Sequence, residues 1–289
     1  MLNTKSLSVL VILIIIFSAV AASFGIFTHD GDGNYTYKTI RGKMITIYGS
    51  GIYKQMSNDV AIQGIAQDYI TLFAGIPLLI IGLIGTLRGS LKWRLVLSGT
   101  LAYFFVTYLF YLVMAMYNYL FLLYAALLAL SFFGLATIML SFDIKQLKAS
   151  YLSENPIRFS AKFLIFNVIM IALLWLSVIV PPMLDGTLYP DELNHYTTLI
   201  VQGMDLGLLL PIALVSAILL LKKKEIGYLL VPVYTVFLSI LMTALTAKLI
   251  AMGLQGQSIL PAIVIIPVFA LTAMVSSILT LKQIDLVRN

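Results

Sequence analysis

Apolar residues fill eight stretches of the chain, each close to twenty residues long and separated from the next by a polar joint. The stretches run Leu7 to Phe27, Tyr69 to Leu87, Leu95 to Met116, Tyr119 to Phe142, Phe163 to Leu184, Leu199 to Leu221, Ile226 to Met252 and Leu260 to Leu281. About twenty mostly apolar residues in a helix cover the roughly 30 Å hydrocarbon core of a bilayer. The pattern therefore predicts an all-α integral membrane protein, an eight-transmembrane-helix bundle. An even number of spans places both termini on one side.

The joints are short except one. Thr28 to Asp68 holds a stretch, Tyr35 to Lys54, in which polar residues alternate with aromatic or β-branched ones around Arg41-Gly42 and Gly49-Ser50-Gly51. That period of two, punctuated by glycine, predicts a small extracytoplasmic β-hairpin, and Met56 to Asp68 can continue as a helix into the second span. Residues 143–162, with Glu154-Asn155-Pro156, read as a cytoplasmic connector. Laid over itself at a constant offset of 134, the chain matches Pro77 with Pro211 and Arg88 with Lys222, a helix, basic turn and helix in each copy. The expected organisation is two parallel four-helix repeats, residues 1–142 with the outer loop 28–68, and residues 163–289, an arrangement some transporters use.

Composition removes the soluble alternative. Hydrophobic residues make up 61% of the 289 and charged residues 10%, against about 45–50% and about 25% in soluble domains. The net charge of +6 would raise nucleic acid as a partner in a soluble protein, but here it sorts by side. With the N-terminus inside, the inner face holds Lys5, Arg88, Lys92, Arg94, Lys145, Lys148, Arg158, Lys162, Lys222, Lys223, Lys224, Lys282 and Arg288. The outer face holds only Lys38, Arg41, Lys43 and Lys54. The positive-inside rule then puts both termini in the cytoplasm, with the bundle in the plasma (cytoplasmic) membrane. The expected partners are the lipid bilayer and a small solute or lipid, with no nucleic acid. Leu7 to Ser18 followed by Ala19-Val20-Ala21 also fits a signal peptide. The apolar run continues to Phe27, which favours a retained anchor, and its removal would leave seven spans in the same orientation.

The chemistry on offer is narrow. The chain has no cysteine and two histidines, His29 and His195, so thiolate chemistry and multi-histidine metal sites are not expected, and no motif implies a cofactor or metal. Asp30-Gly31-Asp32-Gly33-Asn34 opens like a calcium loop, but Tyr35 and Arg41 stand where glycine and glutamate are required.

Ionisable groups at bilayer depth cost roughly 2.5–3.5 kcal/mol on an insertion scale, so each is a functional candidate. Asp205 and Lys248 qualify. Thr198, Gln202 and Asp205 recur at helical spacing, and Gly203 and Gly207 form a small-residue pair of the kind that admits a neighbouring helix. Lys248 either snorkels to the outer interface or pairs with Asp205 or Asp68, which lie at similar depth. Asp68 opens the second span near Gln63, Gln67 and Thr71. Span three carries Tyr103, Thr107 and Tyr111 on one face, a polar seam needing hydrogen-bond partners inside the bundle. Outside the spans, His195 with Asp191 and Glu192 is a possible outer-face acid/base group, though no catalytic spacing supports it and a solvated loop is the favoured reading. Prolines 77, 211, 232 and 267 fall inside spans.

The leading functional expectation is a transporter or ligand-binding membrane protein with a polar vestibule in the outer half, lined by Asp205, Gln202, Asp68, Tyr103, Thr107, Tyr111 and Lys248, with enzymatic activity disfavoured but left open. Two alternatives stand beside it. One is a membrane-embedded enzyme acting on a lipid-linked or amphiphilic substrate through His195. The other is a non-catalytic subunit or scaffold of a membrane complex.

Overall fold

The computed structural model describes residues 2–284. Arg288, counted above among the inner basic residues, lies outside the described residues. Among the described residues eight helices are long and apolar enough to cross a membrane. They are α1 (Thr4–Phe27), the composite α2 (Asn58–Ile70) and α3 (Ile76–Leu87), α4 (Leu91–Val113), α5 (Phe121–Leu140), α7 (Asn155–Leu184), the composite α8 (Ile200–Met204) and α9 (Leu210–Leu221), α10 (Gly227–Leu254), and α11 (Ala262–Lys282). A short helix, α6 (Ile144–Ala149), lies in the joint between α5 and α7.

The second span is entered through a helix from Asn58, close to the expected Met56 to Asp68 segment. The fifth begins at Asn155 rather than Phe163, because backbone bonding does not stop where hydrophobicity stops. The connector accordingly shrinks to α6 and a few flanking residues. It is strapped down by Tyr151, whose hydroxyl donates to the Tyr228 carbonyl at 3.1 Å, and by the Leu152 amide bonded to the Gln283 carbonyl at 2.8 Å.

Large apolar side chains remain exposed around the bundle, among them Leu122, Phe133, Leu140, Leu173, Leu184 and Leu271. A continuous apolar belt of this kind marks a surface that meets lipid rather than water. The most buried span is α10, which packs along α2, α4 and α11. Gly99 lets α4 reach it: a Cβ there would lie 2.5 Å from Val236 Cβ and 2.7 Å from the Val233 carbonyl oxygen.

The second and sixth spans share one construction. Five π-helical residues, Thr71–Gly75 and Asp205–Leu209, interrupt each span just before Pro77 and Pro211. Proline lacks an amide hydrogen and its ring presses on the carbonyl one turn back, so a locally widened turn relieves the clash. Both spans end in matching turns, with Arg88 and Lys222 amides bonded to Ile84 and Ile218 carbonyls, and positive φ at Gly89 and Lys223. Every one of these pairs is related by the offset of 134.

The outer segment folds as an antiparallel hairpin, β1 (Tyr35–Lys38) and β2 (Met44–Ile47), with Tyr35 opposite Ile47 and Lys38 opposite Met44. The Asp-Gly-Asp-Gly run crosses the Gly49-Ser50-Gly51 run at backbone contact. Gly31 and Gly49 both take positive φ, and a Cβ on Gly31 would strike the Gly49 carbonyl oxygen while one on Gly49 would strike that of Gly33. The glycines serve this crossing.

Candidate functional site

A cavity of about 380 Å³ lies toward the hairpin end of the bundle, walled by α2, α4, α7, α10, α11 and the π segment of the sixth span. Of these walls α10 packs closely on α2, α4 and α11, whereas α4 and α8 meet only briefly. Along α10 the wall is one helix face: Tyr234, Leu238, Leu241, Leu245, Lys248 and Met252 recur at steps of four and three. At 1.5 Å per residue that face is about 27 Å long. The lining is chiefly apolar, with few polar groups.

Those polar groups come from separate elements. Asp205 stands at the first residue of its π segment, and its Oδ2 accepts a 2.7 Å hydrogen bond from Trp175 Nε1 on α7. Lys248 lines the same cavity from α10. Neither Asp205 nor Asp68 lies within 4.0 Å of its ammonium, the only ion pair among the described residues being Lys43 with Asp191. The alternative of a Lys248 salt bridge is thus not formed among the described residues, and the side chain lines the cavity between helices.

Asp68 is buried one layer behind the wall. Tyr53 donates to its Oδ2 at 2.5 Å and Tyr111 to its Oδ1 at 2.8 Å, and both tyrosines line the cavity. Gly25 on α1 leaves room for the carboxyl, since a Cβ there would overlap Asp68 Oδ2. Beside this cluster Gln67 Nε2 donates to Tyr103 at 2.6 Å and to Thr107 at 3.3 Å, and Thr71 Oγ1 lies 3.0 Å from the Tyr103 hydroxyl. The seam on α4 is therefore satisfied by α2, with Thr107 and Tyr111 at the cavity wall and Tyr103 behind it. Gln202 is buried but does not line the cavity.

Two local expectations change. Gly203 and Gly207 are exposed, and nothing stands within 4 Å of a Cβ built on either, so they do not form a helix contact. Thr198 precedes α8 and is exposed, and it shares no helix face with Asp205. Standing two residues from each glycine, Asp205 lies on nearly the opposite side of the helix from them, so the acid faces Trp175 while the glycines point outward.

His195, Asp191 and Glu192 lie above the cavity without lining it. His195 Nε2 meets the Gln55 carbonyl at 3.1 Å, its ring lies against Tyr196, and Asp191 pairs with Lys43 at 2.8 Å. Partial burial holds the His195 imidazole below its ordinary value near 6.5, with the Gln55 bond acting in the opposite direction. Arg41 donates to the Asn194 and Tyr196 carbonyls at 3.2 and 3.0 Å, over the Tyr189 ring. These contacts fasten the hairpin to the joint before α8. Glu192 is exposed.

Sequence reasoning passed over Tyr53, Asn167 and Trp175. Asn167 is a polar residue in the middle of an apolar span, and its Nδ2 is buried without a hydrogen-bond partner among the described residues. The rule that selected Asp205 counts ionisable groups, and the uncharged Asn167 amide falls outside it. Tyr53 lies in a loop and carries no such signal. Comparison with protein-family models, with curated proteins and with solved structures gives no match to this chain.

Proposed function

We propose that the protein is a multi-pass membrane protein that binds a small amphiphilic solute between two parallel four-helix units and moves it across the plasma membrane, both termini lying in the cytoplasm. The observation that carries this reading is the long apolar cavity holding one acid and one base that do not pair with each other. Pockets of about 300–1,000 Å³ with mostly apolar walls and a few convergent polar groups are the usual form of a small-molecule site.

The same reading gives the paired π segments a task. Each sits beside a proline at one depth in its own unit, and a π turn differs from an α turn by one residue of register. Straightening the Asp205–Leu209 segment would turn Asp205 about its helix axis and bring α8 toward α4, closing the cavity from the side where packing is thin. The Tyr234 hydroxyl, bonded to the Leu209 carbonyl at 3.0 Å, holds the end of that segment in its present form. The outer clamp made by Arg41, Lys43 and His195 would open or close the upper end.

The enzyme alternative requires His195 to face the cavity, and His195 instead packs on Gln55 and Tyr196. No observation favours it. Trp175 tests the binding reading directly, because the chain has only two tryptophans and the other, Trp93, lies at the inner end of α4. Amphiphilic solutes added to the purified protein should shift Trp175 emission and raise the unfolding temperature. Asp205→Asn should remain folded and lose the solute-dependent rise. A panel of solutes that alters neither signal overturns the proposal.

A further inference from the structure

The site's own chemistry narrows the ligand. Asp205 has one carboxylate oxygen engaged by Trp175 and a second with no hydrogen-bond partner among the described residues, and the Lys248 ammonium has no partner at all among them. Asp205 lies five residues inside the outer end of α8 and Lys248 six residues inside the outer end of α10, so the two charges stand at one depth in one cavity. Below them the α10 face continues with Leu245, Leu241 and Leu238. An acid and a base held apart in a low-dielectric space each lack the close counter-charge that makes burial tolerable.

We propose, resting on the ligand-binding reading above, that the cavity takes a zwitterionic single-chain amphiphile. Its ammonium lies against Asp205, its carboxylate or phosphate against Lys248, and its aliphatic chain runs inward along Leu245, Leu241 and Leu238. A zwitterion supplies a charge-assisted hydrogen bond to each residue and leaves the cavity neutral. A singly charged amphiphile satisfies one residue and leaves the other without a partner. Each charge-assisted bond is worth about 1.5–3 kcal/mol, so losing one weakens binding about tenfold or more. Asp68 does not enter this balance, because Tyr53 and Tyr111 already occupy both its oxygens behind the wall.

The test uses the full chain in a non-ionic detergent at pH 7.5 and reads thermal stability against ligand concentration. The probes share a ten-carbon chain: 2-aminodecanoic acid, decanoyl lysophosphatidylethanolamine, decanoate, decylammonium and decanol. The two zwitterions separate an amino-acid source from a lipid headgroup source, and binding by either one supports the proposal. The wild-type protein should bind one or both at least tenfold more tightly than the other three. Asp205→Asn should shift the preference to decanoate, and Lys248→Gln should shift it to decylammonium. Wild-type binding of decanoate, decylammonium or decanol as tightly as the zwitterions overturns the zwitterion assignment and leaves the binding site standing. Absence of binding by all five, together with unchanged Trp175 emission, overturns the binding reading itself. The ranking on the wild-type chain decides the question even where a variant fails to fold, and variants that fold with unchanged preference also overturn the assignment.

Discussion

Gly25→Ala isolates the buried Asp68 cluster. A Cβ at position 25 would overlap Asp68 Oδ2 and stand 3.1 Å from the Tyr53 hydroxyl, so the carboxyl has to leave its place between Tyr53 and Tyr111. Hydrogen bonds between membrane helices average about 0.6 kcal/mol and reach about 1.7. The upper figure applies because the Asp68 carboxyl is almost fully buried and has no cation within 4.0 Å. Two such bonds amount to about 3 kcal/mol, and alanine in place of glycine in a helix restores up to about 1 kcal/mol. The expected net loss is about 2 kcal/mol. Equilibrium unfolding in mixed micelles, followed by helix content, measures it for the wild type, Gly25→Ala, Asp68→Ala and the double variant. In the Asp68→Ala background only the Tyr53 hydroxyl, at 3.1 Å and released from the carboxyl, stands near the added methyl. There Gly25→Ala should cost less than in the wild type by at least about 1 kcal/mol, the worth of one helix hydrogen bond. An equal cost of Gly25→Ala in both backgrounds, or a single variant as stable as the wild type, would refute the placement of Asp68 against α1.

Other glycines give a contrasting pair in the same assay: Gly99→Ala should destabilise by about 1–3 kcal/mol through overpacking against Val236, while Gly203→Ala and Gly207→Ala should be neutral or slightly stabilising. Since His195 is held below its ordinary value, the folded form takes up a proton less readily than the unfolded form. The docking of its loop should therefore be full above about pH 6.5 and weaken as pH falls below it, levelling off once the folded pKa is passed. Hydrogen exchange of residues 190–199 reads this, and His195→Gln should abolish the pH dependence. In the same exchange measurement Arg41→Ala should loosen the loop more than Lys43→Ala. Arg41 holds two backbone carbonyls, whereas the Lys43–Asp191 pair is largely exposed and such pairs contribute about 0–1 kcal/mol.

The spans were legible in the sequence because a membrane span is a local property: some twenty apolar residues suffice, whatever lies beside them. The hairpin was legible for a similar reason, its alternation and glycines being contained within Tyr35 to Lys54. Of the site, Asp205, Lys248, Thr107 and Tyr111 were visible as departures from an apolar background, and they line one cavity. Asn167 departs from its apolar span in the same way, whereas Trp175 does not.

Sequence by itself determined the class of molecule, the number of spans and the short list of polar residues in them, because hydrophobic transfer and helix length are summed along the chain. Tertiary structure alone decided which of those residues meet. Asp205 meets Trp175 on α7, a contact between two helices that spacing along the sixth span does not announce. The cavity is walled by residues of α2, α4, α7, α10, α11 and the sixth span, and spacing along one helix carries no information about the gap between two others. Asp68 and Lys248 are similar in depth and opposite in charge, yet one is enclosed by tyrosines and the other lines the cavity. That difference comes from Gly25, Tyr53 and Tyr111, contributed by three segments distant in sequence.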